Sequence, residues 1–271
     1  MGAALARTLA AAGATVTAWN RSPGFQAAGV AIAPTPAAAV EAADLILVCL
    51  RDHDIARSVL VDVATTAPVV DFTSATPDQA RESATWAGDS GIERYLTAAI
   101  MVPVPMIGNA DALILYSGPE AIFAEHADTL RILAGTADYL GADHGLAPLF
   151  DVAMLEVFFA GITSFIHAAA IAKNSGVSAQ RFLPYARQIV SILPPTMEGL
   201  AADIDAGTFS GEEDRIEMDL AGIEHIVAAG HAAGLDTALA ESMRDLGARA
   251  VAAGDGKLGW SKVFDHLAVG E

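Results

Sequence analysis

Strand-like and helix-like segments alternate along the first half of this chain, and the alternation stops near Asp143. Short apolar runs such as 69–72 are separated by helical patterns such as 77–90. Strands that alternate with helices over short connections are typical of a mostly parallel sheet covered by helices. We therefore predict an α/β domain over about 1–143.

Every segment after Gly145 carries a helical pattern. The first is a long apolar run over about 147–173, and four more helical segments follow it. This predicts an all-α domain over about 145–271, which begins with a long interdomain helix. The long helix is apolar nearly all round, so part of its surface needs a cover from outside its own small domain. We expect a second copy of the chain to provide that cover.

The net charge, the apolar run and the cysteine count disfavour several classes of function. The 271 residues carry a formal net charge of −18, and so acidic a surface repels nucleic acid and anionic lipid. The apolar run is long enough to span a membrane, but it contains Asp151, Glu156 and His167, which are costly at membrane depth. The single cysteine, Cys49, cannot form an intrachain disulfide, so we expect a free thiol and a cytoplasmic protein. No spacing of histidines, cysteines and carboxylates predicts a metal site.

The chain opens with a helical pattern, MGAALARTLAAAG, and no strand precedes it. A dinucleotide-binding domain usually starts with a strand, a G-x-G-x-x-G loop and a helix whose N-terminus holds the cofactor pyrophosphate. Gly2 matches only the third glycine of that fingerprint. We therefore expect that the first strand and the first two glycines are missing, which would weaken the cradle for the pyrophosphate.

The next strand, over about 15–19, ends in Asn20, Arg21 and Ser22. An acidic residue at this place would hydrogen-bond the ribose 2′-hydroxyl of NAD and repel the 2′-phosphate of NADP. An arginine flanked by two hydrogen-bonding side chains does the opposite, because it supplies a positive charge and donors to a phosphate. The pattern favours NADPH as the cofactor; the alternative is a polar turn with a solvated arginine.

Two further loops follow strands of the predicted sheet. Leu50 and Arg51 end one strand, and Ser74 and Thr76 follow another. Ligands of an open α/β sheet bind at the carboxyl ends of its strands. We expect both loops to lie over the nicotinamide, with ordinary turn residues as the alternative.

Several segments along nearly the whole chain resemble the imine reductases and reductive aminases of the β-hydroxyacid dehydrogenase superfamily. They are WNRS at 19–22, DFTSATPDQAR at 71–81, IMVPVPMIG at 100–108, LILYSG at 113–118, YLGADHGLAPLFDVAML at 139–155, FIHAAA at 165–170 and MDLAGIEHI at 218–226. The resemblance implies an N-terminal Rossmann domain, a long interdomain helix, an all-α C-terminal domain and an intertwined homodimer. It also implies transfer of a hydride from NADPH to the carbon of a small-molecule imine.

Asp151 follows Pro148, which suits the first position of a helix, so the sequence predicts Asp151 in the first turn. A carboxylate there can simply cap the helix or complement its dipole. The resemblance implies a catalytic role, because many imine reductases carry an acidic residue beside the substrate at this position. Asp151 would protonate the imine nitrogen or hold an iminium by its charge, since hydride addition to a neutral imine builds negative charge on nitrogen.

Two alternatives to imine reduction stay open. The related hydroxyacid dehydrogenases carry a lysine and, four residues later, an asparagine where this chain has Asp151 and Leu155. A carboxylate cannot stabilise an alkoxide, which disfavours a hydroxyacid-type NADP dehydrogenase. The other alternative is a non-catalytic dinucleotide-binding protein, which follows from the missing N-terminal strand.

We expect an apolar substrate pocket lined by Met101, Val102, Phe159 and Met218, with ordinary core positions as the alternative for some of them. The resemblance adds Ile189 and Asp219 to the residues around the substrate. Some positions depart from the family pattern, with Phe159 for a tyrosine, Ser74 for an asparagine, Asp219 for a glutamine and Ile189 for a tryptophan. Without the tyrosine, Asp151 would work without that hydrogen-bonding partner. The departures at Ser74, Asp219 and Ile189 favour imine reduction over true reductive amination.

Overall fold

The structure is a computed structural model that describes residues 1–22 and 24–268. Its backbone contacts divide it into two compact units, Met1–Val157 and Phe158–Glu271. The first unit contains strands and helices, whereas the described part of the second is helical. The sequence placed the domain boundary ahead of the long helix, while the contacts place it inside that helix, because the first turns of the helix pack on the first unit.

The described residues of the first unit form two sheets. A parallel pair is formed by β1 (Val16–Ala18) and β2 (Val30–Ile32). The other sheet has the order β3-β4-β5-β6-β7, with β3 (Ile46–Val48), β4 (Val69–Asp71), β5 (Tyr95–Ile100), β6 (Leu113–Ser117) and β7 (Thr136–Tyr139). Its neighbours are parallel except β5 and β6, which are antiparallel.

Helices pack on both faces of the five-stranded sheet. They are α1 (Gly2–Ala11), α2 (Pro36–Val40), α3 (His53–Leu60), α4 (Pro77–Asp89) and α5 (Glu120–Arg131). One hydrophobic cluster joins α1 and α5 to the face that carries Val70 and Leu96. The other cluster joins α3 and α4 to the face that carries Val69 and Tyr95. The alternation along each strand therefore gives a three-layer α/β unit, and the predicted fold class is confirmed.

Helix α6 (Leu146–Asn174) runs without a break for 29 residues. By length and composition it could cross a membrane, and only 6% of its most apolar window is buried in the single chain. Ala147, in its first turn, is buried against Ala99 and Leu115 of the sheet. The helix therefore starts on the same sheet face as α3 and α4.

The described part of the second unit continues with four α-helices and a 3₁₀ segment. They are α7 (Ala179–Val190), α8 (Leu193–Ala206), α9 (Ile216–Ala232), α10 (Ala238–Ala252) and the 3₁₀ segment Trp260–His266. A small core of Ile216, Ala250 and Val263 joins α9 and α10 to the 3₁₀ segment. Large apolar side chains stay exposed on α6, α7 and α8, among them Phe158, Ile166, Ile189 and Met197.

Candidate active site

A cavity of about 140 Å³ opens at the carboxyl ends of β3 and β4, which is where open α/β sheets bind their ligands. Its walls are the loops after these two strands, the end of β5 and the start of α6. The residues that line it are Met1, Cys49, Leu50, Phe72, Thr73, Ser74, Ala75, Ala98, Ala99, Ile100, Pro148 and Asp151. Two predicted cofactor residues, Leu50 and Ser74, thus lie in the same cavity as the predicted acid, Asp151.

Asp151 is buried, with 8% of its surface exposed. Burial raises the pKa of its carboxyl group above the ordinary value. No hydrogen bond to this carboxyl group is present among the described residues. The prediction that it lies in the first turn is wrong, because α6 begins at Leu146 and Asp151 follows in the second turn. Asp151 therefore does not cap the helix.

The loop after β4 is fixed by Asp71, which ends that strand and is 1% exposed. One carboxylate oxygen of Asp71 accepts a hydrogen bond from the backbone N–H of Thr73 at 2.8 Å, and the other accepts one from the Tyr95 hydroxyl at 2.5 Å. The Thr73 hydroxyl accepts a longer hydrogen bond, 3.4 Å, from the N–H of Leu50. These contacts link the loops after β3 and β4, which both line the cavity.

His53, at the start of α3, completes this buried cluster. Its Nδ1 lies 2.8 Å from the Ser83 hydroxyl and 3.5 Å from a carboxylate oxygen of Asp71, while its Nε2 is buried without a partner among the described residues. Burial first, and then the charge of Asp71, raise the pKa of Tyr95, so its hydroxyl keeps the proton that it donates. Sequence reasoning missed these residues; the available signal was an aspartate that ends an otherwise apolar strand.

The predicted phosphate-binding residues lie at the end of β1. Asn20, Arg21 and Ser22 are exposed, and the side-chain amide of Asn20 donates to the carbonyl oxygen of Ser22. Arg21 pairs with no carboxylate among the described residues, so its guanidinium is available to an anion. Gly2 is the first residue of α1, and Met1 before it lines the cavity. A helix N-terminus beside a cavity favours a bound phosphate.

Two further predicted cofactor residues make local contacts. Arg51 is exposed and pairs with the neighbouring Asp52 at 2.8 Å. Thr76 caps α4, since its hydroxyl accepts a hydrogen bond from the N–H of Gln79 in a capping box. Neither side chain lines the cavity, so a role for them at the nicotinamide stays a prediction.

The predicted substrate residues lie in both units. In the first unit, Met101 and Val102 follow β5 and are half-buried against the core. In the second unit, Phe159, Ile189 and Met218 are exposed, while Asp219 is half-buried. Burial first, and then the charge of Asp214, raise the pKa of Asp219, and one of its carboxylate oxygens is buried without a partner among the described residues.

No group of three or more metal-ligating side chains is placed to hold a metal ion in the described part of the chain. The first unit instead offers features that fit a dinucleotide. A helix N-terminus and two loops at the carboxyl edge of the sheet border the cavity, and an available cation, Arg21, follows β1 in the chain.

Comparisons with known proteins agree with this geometry. Residues 143–269 match the model of the C-terminal domain of NADPH-dependent reductive aminase-like proteins, and residues 1–141 match that of the NAD binding domain of 6-phosphogluconate dehydrogenase. An NADPH-dependent reductive aminase of Aspergillus oryzae is 30% identical over 281 residues, which cover 100% of this chain and 95% of that protein.

Solved structures of two similar proteins share the fold over nearly their whole length. An imine reductase from Bacillus cereus is 32% identical with a TM-score of 0.88, and the match covers 98% of this chain and 95% of that one. A reductive aminase from Aspergillus terreus, in complex with NADPH and ethyl levulinate, is 32% identical with a TM-score of 0.91, and the match covers 99% and 96%. The predicted resemblance is confirmed: the chain belongs to the imine reductase and reductive aminase family.

Proposed function

We propose that this protein reduces small cyclic imines with NADPH and that Asp151 protonates the imine nitrogen or holds the iminium. Its family makes the chain an NADPH-dependent oxidoreductase that acts on C=N bonds. The observation that carries the role of Asp151 is its burial, without a hydrogen-bond partner among the described residues, in the cavity at the carboxyl ends of the strands.

The environment of Asp151 suits proton donation. When bound, NADPH supplies the hydride. Burial of the carboxyl group disfavours its charged form, so Asp151 keeps a proton to a higher pH than an exposed aspartate does. After it donates this proton to the imine nitrogen, its carboxylate faces an iminium at a site that is largely shielded from solvent. The attraction between the two charges is stronger there than in bulk water, which stabilises the charged substrate.

The remaining walls of the cavity favour an uncharged apolar substrate. Phe72, Ala98, Ile100 and Pro148 supply apolar surface, and Thr73 and Ser74 supply hydroxyl groups. No arginine, lysine or histidine lines the cavity among the described residues. A substrate carboxylate would meet Asp151 with no cationic side chain lining the cavity among the described residues, which disfavours a hydroxyacid as substrate.

The end of β1 supports NADPH rather than NADH. Arg21 is exposed, and the structure offers it no carboxylate partner among the described residues. A guanidinium binds a phosphate with charge-assisted hydrogen bonds, and the 2′-phosphate distinguishes the two cofactors.

We also infer that the protein is a cytoplasmic homodimer, with the second copy covering the apolar surface of α6, α7 and α8. Phe158 and Ile166 on α6 and Ile189 on α7 are each more than half exposed. Monomeric soluble proteins rarely expose so large an apolar area, and symmetric pairs are the commonest way to bury one. Sedimentation equilibrium tests this inference: a monomer at micromolar concentration would contradict it.

The role of Asp151 is tested with Asp151→Asn in an assay of NADPH oxidation with a five-membered cyclic imine. We expect kcat to fall by about 10²–10⁴-fold, as for the loss of a general acid. In the wild-type enzyme kcat should decrease as pH rises through the raised pKa of Asp151, because only the protonated carboxyl group donates; this decrease should be absent in the variant. The control is Asp128→Asn on α5, whose side chain is fully exposed. A kcat of Asp151→Asn within twofold of wild type would refute the assignment.

A further inference from the structure

We propose that Ser117 is a positioning residue that fixes Asp151 by capping the helix that carries it. The proposal rests on the proposed function of Asp151. Ser117 ends β6 and is 0% exposed. Its hydroxyl donates a hydrogen bond to the carbonyl oxygen of His144 at 3.0 Å and accepts one from the backbone N–H of Ala147 at 3.1 Å. The Ser117 side chain thus binds the backbone before and after Leu146, the first residue of α6.

The geometry of α6 connects this contact with Asp151. Ala147 and Asp151 are four residues apart, so they lie on the same face of the helix, one turn from each other. Both are buried, at 0% and 8% exposure. No hydrogen bond holds the Asp151 carboxyl group among the described residues, so its position follows from the position of the helix turn below it.

The N–H of Ala147 has no other partner among the described residues. The first N–H groups of a helix lack intrahelical acceptors. In α6 the N–H of Leu146 donates to the carbonyl oxygen of Asp143, that of Leu149 donates to Gly145, and Pro148 has none. Only Ala147 depends on a side chain from a distant strand. Without the Ser117 hydroxyl, a buried N–H loses its acceptor and the turn must shift or admit water to satisfy it.

The Ser117 contact is also part of a row of polar residues between two walls of the cavity, the loop after β4 and the start of α6. Asp71, Thr97 and Ser117 are register partners across β4, β5 and β6, so their side chains share one sheet face. Asp71 holds the loop that carries Thr73, and the hydroxyl of Thr97 lies 3.0 Å from Nδ1 of His144. This row of three buried polar residues therefore connects the loop after β4 with the start of α6.

A second contact holds the same segment from the solvent side. Arg81 forms a bidentate pair with Asp143, with N–O distances of 2.9 and 2.7 Å, and Asp143 accepts a hydrogen bond from the N–H of Gly145. This pair does not include the Ser117 hydroxyl. We therefore expect Ser117→Ala to fold and to lose precision in the placement of Asp151.

The test measures kcat and the Kd of NADPH for Ser117→Ala, Asp151→Asn and the double variant. We expect Ser117→Ala to lower kcat about 10- to 100-fold, since a misplacement of about 1 Å can cost that much, and to leave Kd within twofold. In the Asp151→Asn background the same substitution should lower kcat no further, because the group that Ser117 positions is absent. A purely structural role would not produce this dependence on Asp151.

Two more variants complete the design. Ser261→Ala is the matched control, because Ser261 is a buried serine whose hydroxyl donates to Asp203 in the second unit. Its kcat should stay within twofold of wild type. Ser117→Thr keeps the hydroxyl and should retain more activity than Ser117→Ala; Ser117→Cys, with a weaker donor and acceptor, replaces the alanine variant if that does not fold.

The outcomes of these measurements distinguish the role of Ser117 from that of Asp151. A kcat of Ser117→Ala within twofold of wild type, or equal losses in the wild-type and Asp151→Asn backgrounds, would overturn the role of Ser117 and leave Asp151 as the acid. An unchanged kcat for Asp151→Asn would instead overturn the proposed function of Asp151. A loss for Ser117→Ala that disappears in the double variant supports the proposal.

Discussion

Removal of the Tyr95 hydroxyl should destabilise the first unit by about 2 kcal/mol. Asp71 is almost fully buried, and its carboxylate accepts hydrogen bonds from the Thr73 N–H and the Tyr95 hydroxyl. Hydrogen bonds to charged groups contribute about 1.5–3 kcal/mol each. In Tyr95→Phe one oxygen of this carboxylate keeps, among the described residues, only the ring nitrogen of His53, at 3.5 Å. The buried charge is then left poorly solvated, and this is the source of the loss.

Tyr116→Phe is the matched control, because it makes the same substitution at another buried tyrosine. It is fully buried on the neighbouring strand β6, and its ring packs edge-on against Phe72 at 6.1 Å between centroids. Its hydroxyl has no hydrogen-bond partner among the described residues. Tyr116→Phe removes the same oxygen without breaking a hydrogen bond, so we expect a change between zero and a gain of about 1 kcal/mol.

The two variants are compared by urea denaturation, with the midpoint and the slope fitted separately for each transition. Because the chain has two units, the relevant transition is the one that Tyr95→Phe shifts at unchanged slope. In thermal unfolding a loss of about 2 kcal/mol corresponds to about 4–8 °C for a unit of this size. If Tyr95→Phe and Tyr116→Phe differed by less than about 0.5 kcal/mol, the stabilising role of the Tyr95–Asp71 hydrogen bond would be refuted.

Two further predictions concern the cofactor and the second unit. Arg21→Ala should raise the KM for NADPH about 10- to 100-fold and leave the KM for NADH unchanged, since only NADPH carries the 2′-phosphate. Arg131→Ala on α5 is the control. An equal rise in KM for both cofactors would contradict this prediction. Gly211→Ala should lower the thermal midpoint more than Gly207→Ala. The backbone φ is positive at both glycines, +66° and +65°. A Cβ at 211 would lie 2.1 Å from the carbonyl oxygen of Lys257, whereas a Cβ at 207 would have no atom within 4 Å among the described residues. Similar midpoints for the two variants would show that the close approach has no cost.

Local signals predicted most helices well. The sequence predicts a helix over 77–90, and α4 is Pro77–Asp89, because Thr76 and Gln79 form a capping box and Pro77 suits the first turn. Strand β2 (Val30–Ile32) was not predicted. The strand is formed by parallel pairing with β1, a contact that the local sequence pattern does not show.

Long-range contacts explain what the sequence could not supply at the site. Pro148 suggests that α6 starts there, but the helix begins at Leu146, because a serine from a distant strand accepts the N–H of Ala147. Leu50, Ser74 and Asp151 were found from strand ends and from the family resemblance, and they share one cavity. Asp71 and Ser117 were not found, since their roles depend on the register between β4, β5 and β6.

The placement of α6 has a consequence for its local stability. The helix is continuous from Leu146 to Asn174, yet the boundary between the two units falls at Val157 and Phe158. Amide hydrogens exchange with solvent when the cooperative unit to which they belong unfolds. Amides before the boundary should therefore exchange with the sheet of the first unit, and those beyond it with the helices of the second. One unbroken helix would then show two levels of protection, with the step near residue 157.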